Sequence, residues 1–347
     1  MSTAEDAIYA LLRAAATQQI PNMEALQTLD TAAWQQLMTL FQRNHLIVLS
    51  ASAVEKMPRE KRPPRTVYLP WMAERQMAVE WSLHQRKVEQ ELLSVFADNN
   101  IECYTLKGSA TASHYPVKNQ REYADIDLFI PHNHAVADQI IEQKYGVDIS
   151  HGSAHHTKYD IHGITIESHY RLFDPYLPPS NKELEPLLTR LIASATFEAL
   201  HLLRHAAIHF VSGRITLREV CDWAFLLNHR GDDIDWALVS DIVSKFKMHQ
   251  FASALTTMAN RIIETNCPLS TPISNKLQNR FEHDVLYGQG AADEHDKENA
   301  RRALWKLRRY AINRWKHRFT LSDSSMKMFT SRLFHLIRHP QKLLHKM

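Results

Sequence analysis

The hydrophobic repeat of this chain changes period between residues 101 and 175, and that change limits the folds open to it. Ile101–Leu106 is short and strand-like, Lys107-Gly108-Ser109 breaks it, and Ala110–Tyr115 reads as a short helix before Pro116. Asp125–Ile130 alternates acidic and apolar side chains as a strand does, and His134–Gln143 returns to helical spacing. Thr157–Tyr170 reads as a hairpin turning at His162-Gly163. Together these segments predict a small α/β unit.

Helical periodicity flanks that core. Ala7, Ile8, Ala10, Leu11 and Leu12 mark a first helix that Pro21 stops, and Asp30-Thr31 caps a second running through Trp34, Leu37, Met38 and Phe41. Lys56–Thr66, rich in proline and basic residues, is the candidate linker. A long helix with Trp81, Val88, Leu92, Val95 and Phe96 follows and ends at Asp98-Asn99-Asn100. From Glu183 to Phe281 the spacing is helical again. The expected fold is α+β and predominantly helical. A core at 101–175 lies between a helical region at 1–100 and another at 176–285, with a basic amphipathic segment at 286–347.

Composition excludes several classes. The three cysteines (Cys103, Cys221, Cys267) form no CxxC and read as thiols in a reducing compartment rather than a disulfide framework. Glycine occupies only 8 of 347 positions, so large glycine-dependent phosphate loops are scarce. No apolar run approaches the roughly 18 residues a membrane span requires. The acidic start, Met1–Asp6, lacks the basic-then-apolar profile of a signal peptide, so a cytoplasmic protein is expected. Residues 301–347 carry 13 Lys/Arg against one acid, Asp323, which leaves −9 of the chain's net +3 for residues 1–300.

The chemistry concentrates in the core. Side chains alternate faces along a strand, so Asp125 and Asp127 point one way while Ile126, Leu128 and Ile130 pack on the other. Two carboxylates on one face suit Mg²⁺, a hard cation that takes oxygen ligands and phosphates. The same period puts Thr165, Glu167 and His169 together, so Glu167 could supply a third carboxylate from a neighbouring strand. Gly108-Ser109 at a helix start offers backbone amides and a hydroxyl to a phosphate. Two acids spaced two apart recur by chance about four times in such a chain, as at Glu89/Glu91, Glu183/Glu185 and Asp233/Asp235. The apolar alternation and the upstream strand–Gly-Ser–helix set Asp125/Asp127 apart. Plainer readings stay open: solvated acids on an edge strand, a turn glycine at Gly108, and a surface acid at Glu167. Lys107 either reaches a phosphate or sits on the surface. Arg121 either clamps a phosphate or pairs with Glu122 or Asp125.

The run Leu106-Lys107-Gly108-Ser109, then Tyr115-Pro116, Arg121 and Asp125-Ile126-Asp127-Leu128, resembles the nucleotidyltransferase fold of the DNA polymerase beta superfamily. It is most similar to a bacterial nucleotidyltransferase family often found near polysaccharide-synthesis genes. Glu167-Ser168-His169 stands where that family usually has Asp-Leu-His, a change that keeps the charge and lengthens the arm. The resemblance extends to His201–His205, Arg218 and Asp222-Trp223. It implies a nucleotidyltransferase-like core with a small mixed sheet, and metal-dependent transfer of a nucleotidyl group from an NTP to a hydroxyl of a sugar, protein or nucleic acid. Asp125, Asp127 and Glu167 would hold Mg²⁺ or Mn²⁺ and carry the catalysis; Lys107, Gly108, Ser109 and Arg121 would hold the nucleotide. The alternative is a catalytically degenerate module that binds a nucleotide or partner, associated with a membrane surface in polysaccharide synthesis.

Two other features stand out. Of 21 histidines, His151, His155, His156, His162 and His169 crowd the hairpin, and His201, His205 and His209 follow one helix face. That helix spacing permits zinc, but no cysteine or carboxylate lies at ligand spacing, so His169, His205 and His209 are expected at most to line a cleft. In residues 301–347, cations interleave with Trp305, Tyr310, Trp315 and Phe334. That pattern fits a helix docked on the body, an anionic membrane at its inner face, or nucleic acid.

Overall fold

The computed structural model describes residues 3–176, 178–269, 271–288, 314–323 and 330–331. The fold is α+β and 61% helical, with a small four-stranded mixed sheet. It divides into two units. The first holds the described residues up to Arg171 with 224–229 and 259–265; the second holds 172–223, 230–258 and the described residues from Asn266 onward.

The first unit begins with helices α1 (Thr3–Thr17), α2 (Thr31–Arg43), α3 (Ile47–Lys56) and α4 (Arg65–Asp98). Asp30 caps α2 by accepting the amide of Ala33 at 2.8 Å. The stretch Lys56–Thr66 lies within this unit. It forms a pinned turn in which the Arg62 guanidinium donates to the carbonyls of Met57 and Glu55. Val88, Leu92 and Phe96 form the buried stripe of α4, whereas Trp81 is exposed and stands off that face.

Next come β1 (Tyr104–Thr105), α5 (Ser109–Ala112), β2 (Asp125–Phe129), α6 (His134–Tyr145), β3 (His156–Ile161) and β4 (Ile164–His169). The strands lie in the order β1-β2-β4-β3: β1 is antiparallel to β2, β2 parallel to β4, and β3 antiparallel to β4. The hairpin turns where expected, with His162 (φ +52°) and Gly163 (φ +80°) both left-handed, as a two-residue turn of this twist requires. Strand β1 is shorter than the periodicity of Ile101–Leu106 suggests. After Leu106 has donated its amide to Asp127 O, the Gly108 turn carries the chain away from the sheet. One sheet face presents Ile126, Leu128, Ile164 and Ile166 to α4 and to Ala137 and Ile141 of α6. Strand alternation leaves the acidic and imidazole side chains for the other face.

The second unit is helical: α7 (Asn181–Thr189), α8 (Ala195–Ser212), most of α9 (Leu217–Arg230), α10 (Trp236–Lys245), most of α11 (His249–Asn260), α12 (Asn275–Tyr287) and Arg314–Thr320. Phe210, Phe251, Phe281 and Phe319 pack ring on ring, with centroids 4.9–6.4 Å apart. Arg204 is fully buried and donates to Ser180 Oγ and Asn181 Oδ1, and Ser180 in turn is hydrogen-bonded to Asp323. Of the basic C-terminal segment, the described piece docks. Lys316 is buried and pairs with Asp284 at 2.8 Å, Trp315 lies against Phe210, and Arg314 and Arg318 stay exposed. The expectations for residues 289–313, 324–329 and 332–347 lie outside the described residues. Among those described, no helix is long and apolar enough to cross a membrane.

Candidate functional site

Strand register assembles the site. In the parallel β2/β4 pair Asp127 stands opposite Glu167 and Asp125 opposite Thr165; in the β3/β4 hairpin His156 stands opposite His169 and Lys158 opposite Glu167. Because partners in register share a face, Asp125, Asp127, Glu167, His169, His156 and Lys158 all lie on the side turned away from the core.

Asp127 is the centre. It is 4% exposed, accepts Lys107 Nζ on Oδ2 at 3.1 Å and faces His169 Nε2 from Oδ1 at 3.0 Å. Burial by itself would raise its pKa, but Lys107 and the hydrogen-bonded His169 outweigh burial and hold it well below the usual carboxylate range. Glu167 goes the other way. Burial first, then the charges of Asp127 and Asp125, push its pKa up. Its Oε2 lies 3.7 Å from His169 Nε2 and 3.9 Å from His156 Nδ1, and its Oε1 3.8 Å from Lys158 Nζ. Two carboxylates driven apart in proton affinity, with a third at Asp125, form an anionic pocket that a divalent cation would relieve. The donors fit such an ion, since ligand atoms of Asp127, Glu167 and His169 all lie within 4.8 Å of one another. Asp125 is half-buried at the start of β2 and stands outside that trio.

On the phosphate side, Gly108 has φ +60°, and a Cβ there would come 3.3 Å from the Tyr123 ring, so glycine is required at this position. Arg121, buried, donates to Gly108 O at 3.4 Å and braces the turn. The Ser109 hydroxyl is committed to Glu89 Oε1 at 2.5 Å, which also accepts Thr105 Oγ1 at 2.6 Å. Ser109 therefore presents its backbone rather than its side chain. Lys107 is neither loose on the surface nor aimed away from the site, because it lies on Asp127.

His155 and His156 join the cluster. Ser153 Oγ lies 2.9 Å from His155 Nδ1 and 3.3 Å from His156 Nδ1. Burial, then the neighbouring His169, lower the pKa of His155 to about 3 and of His156 to about 4, so both rings are neutral. Both were among the histidines that crowd the hairpin in the sequence, and the turn at His162-Gly163 sets His156 against His169, while His155 lies just before β3.

His205 and His209 belong to the second unit, on α8, where His209 Nδ1 bonds Glu219 Oε1 and the two rings lie 4.0 Å apart. A carboxylate companion does exist there, contrary to the sequence expectation, because the turn between α8 and α9 returns Glu219 to the helix. Its other oxygen accepts the amide and hydroxyl of Thr216, each at 2.6 Å, as a helix capping residue does. Glu219 is thereby pushed down to about 2, with burial outweighed by His209, Arg218 and Thr216. His201 stacks on Phe197 at 5.3 Å, with its ring 6.4 Å from that of His205.

No curated protein and no solved structure matches the chain. Residues 30–264 match the profile of a family described as uncharacterised nucleotidyltransferase. The matched span runs from the Asp30 cap of α2 past the end of α11, so it includes Lys107, Asp127 and Glu167 and also the α8/α9 turn. With well over half its length inside that profile and the carboxylate pair within the span, the chain belongs to this family of uncharacterised nucleotidyltransferases.

Proposed function

We propose that the protein transfers a nucleotidyl group from an NTP to a hydroxyl acceptor, with Mg²⁺ or Mn²⁺ held by Asp127 and Glu167 and flanked by Asp125. The observation that carries this reading is the pairing of Asp127 with Glu167 across parallel strands, one carboxyl depressed and the other raised, beside Lys107. When bound, the cation supplies charge neutralisation at the reacting phosphate. The chain's own groups do the rest. Lys107 Nζ, free to swing from Asp127, offers a positive charge to the triphosphate. The Gly108 turn, braced by Arg121, presents backbone amides to the same phosphates. Glu167, the carboxylate with the higher proton affinity, is placed to take the proton of the attacking hydroxyl. The acceptor oxygen bonds to the α-phosphorus, the bond from that phosphorus to the bridging oxygen breaks, and pyrophosphate leaves with that oxygen.

The test is a thermal-shift titration with each NTP, with and without Mg²⁺ or Mn²⁺, on wild type and Asp127→Asn. A ligand at 100 times its Kd stabilises by about 2.7 kcal/mol. A metal-dependent shift absent from Asp127→Asn supports the reading, and an undiminished shift in the variant overturns it. One observation favours a second reading, nucleotide binding without transfer: the Ser109 hydroxyl and both Asp127 oxygens are already engaged within the protein. Pyrophosphate release, assayed with sugar, protein and nucleic-acid acceptors, separates the two. The exposed basic residues of the C-terminal segment are candidates for an anionic membrane surface, with polysaccharide synthesis as a setting, or for nucleic acid. Binding of the full chain to anionic vesicles compared with duplex DNA distinguishes them.

A further inference from the structure

We infer that His155, His156 and His169 form a binding site for one divalent transition-metal ion of the Zn²⁺ class. It is separate in its donors from the carboxylate pair and independent of any nucleotide. Ligand nitrogens of the three rings lie within 4.8 Å of one another, and the ring centroids are 4.4 Å (155–156), 5.0 Å (156–169) and 5.4 Å (155–169) apart.

The fold itself imposes this meeting. Antiparallel register sets His156 against His169, and the amides of Tyr170 and Arg171 both donate to the carbonyl of His155, which ties the third ring's backbone to the end of β4. Ser153 Oγ orients the rings of His155 and His156, the supporting role that hydrogen-bonded neighbours of metal-binding histidines play. An independent observation points the same way. His169 is 5% exposed and its Nε2 is committed to Asp127, yet its Nδ1 is buried with no hydrogen-bond partner. An orphaned ring nitrogen inside a cluster of imidazoles is a costly arrangement for the protein alone and a natural one for a cation site.

The donor chemistry selects the ion. Three imidazole nitrogens favour Zn²⁺ and its neighbours in the first transition row over Mg²⁺, which prefers oxygen and keeps its waters. With metal–nitrogen distances near 2.1 Å, tetrahedral donors stand about 3.4 Å apart. The cluster therefore has to contract, and His155 and His156, both only partly buried, are free to rotate inward while His169 stays fixed.

The test uses the full-length chain without a histidine tag, dialysed against Zn²⁺ in a large excess of Mg²⁺ and assayed for bound metal, with Co²⁺ absorption as a report of coordination geometry. The comparison is among wild type, His155→Ala/His156→Ala, and a control, His205→Ala/His209→Ala, with circular dichroism reporting the fold. Wild type is expected to hold one equivalent more than the first variant, with a tetrahedral Co²⁺ band lost from that variant and kept in the control. Should the double variant unfold, His155→Asn and His156→Asn singly are each expected to weaken that equivalent. No bound equivalent in wild type, or the same equivalents and spectrum in the folded histidine variants, overturns the proposal. Neither readout involves an NTP, so failure of nucleotidyl transfer leaves this result standing.

Discussion

Around Glu219 two imidazoles meet a carboxylate whose oxygens are both occupied, one by His209 and the other by the amide and hydroxyl of Thr216. Around Glu167 three imidazoles and Asp127 meet a carboxylate whose nearest partners stand 3.7–3.9 Å away, and one buried ring nitrogen has no hydrogen-bond partner. The donor types are the same and the bookkeeping differs. The helical cluster closes on itself and serves the fold by capping α9, while the sheet cluster keeps a buried ring nitrogen with no hydrogen-bond partner, the opening that the proposed cation would fill. Donor identity thus says less about function than how many donors are already spent.

Substitutions can break that contrast, and their expected effects fall in order. Asp127→Asn is expected to lower NTP-dependent turnover by about a thousandfold or more, the scale of losing a group that stabilises transition-state charge, with a smaller loss of stability in urea from the unpaired charge of Lys107. Glu219→Ala is expected to act in the opposite sense, lowering stability in urea by about 3 kcal/mol while any metal-dependent NTP response at the sheet persists. Metal-dependent NTP binding lost in both variants would erase the distinction.

Acid sharpens the same contrast. Because the folded pKa of Glu219 lies near 2, below its ordinary 4.5, its contribution is complete above about pH 4.5 and is lost as pH falls toward 2. Urea midpoints of wild type are expected to fall more steeply over that window than those of Glu219→Gln. Gly108→Ala, forced to a left-handed φ against Tyr123, is expected to cost about 1–2 kcal/mol and to weaken NTP binding. Ser109→Ala has the smallest effect, about 1 kcal/mol, from the bond to buried Glu89. A larger loss of NTP binding than of stability in Ser109→Ala would show that the hydroxyl leaves Glu89 for the phosphate.

Much of the sheet was legible because its signals are local. Asp125-Ile126-Asp127-Leu128 states its own alternation, and His162-Gly163 states its own turn. The α2 cap was legible at Asp30 for the same reason. Less legible was whatever depends on a second element. Trp81 keeps helical spacing with Val88 and Leu92, but only packing decides that it faces out. The position of Lys107 on Asp127 requires the antiparallel β1/β2 pairing, in which Leu106 donates its amide to Asp127 O. Glu219 is invisible to spacing rules, because its partner arrives through a turn between helices, whereas the crowding of His155 and His156 was legible and only their meeting with Glu167 depends on the neighbouring strand. Lys316 lies in a run of cations with nothing local to distinguish it, yet Asp284 from α12 draws it inside.

The parallel pairing of β2 with β4 also has a kinetic meaning. Asp127 and Glu167 pair across a stretch of chain that holds α6 and strand β3. Contacts of that kind carry a loop-closure cost before they return any stability, and they tend to form late in folding. The helices at either end can become ordered while the carboxylates are still separate. Cation affinity at the sheet is therefore expected to appear in the last stage of refolding, as a sign that the chain has reached its final topology.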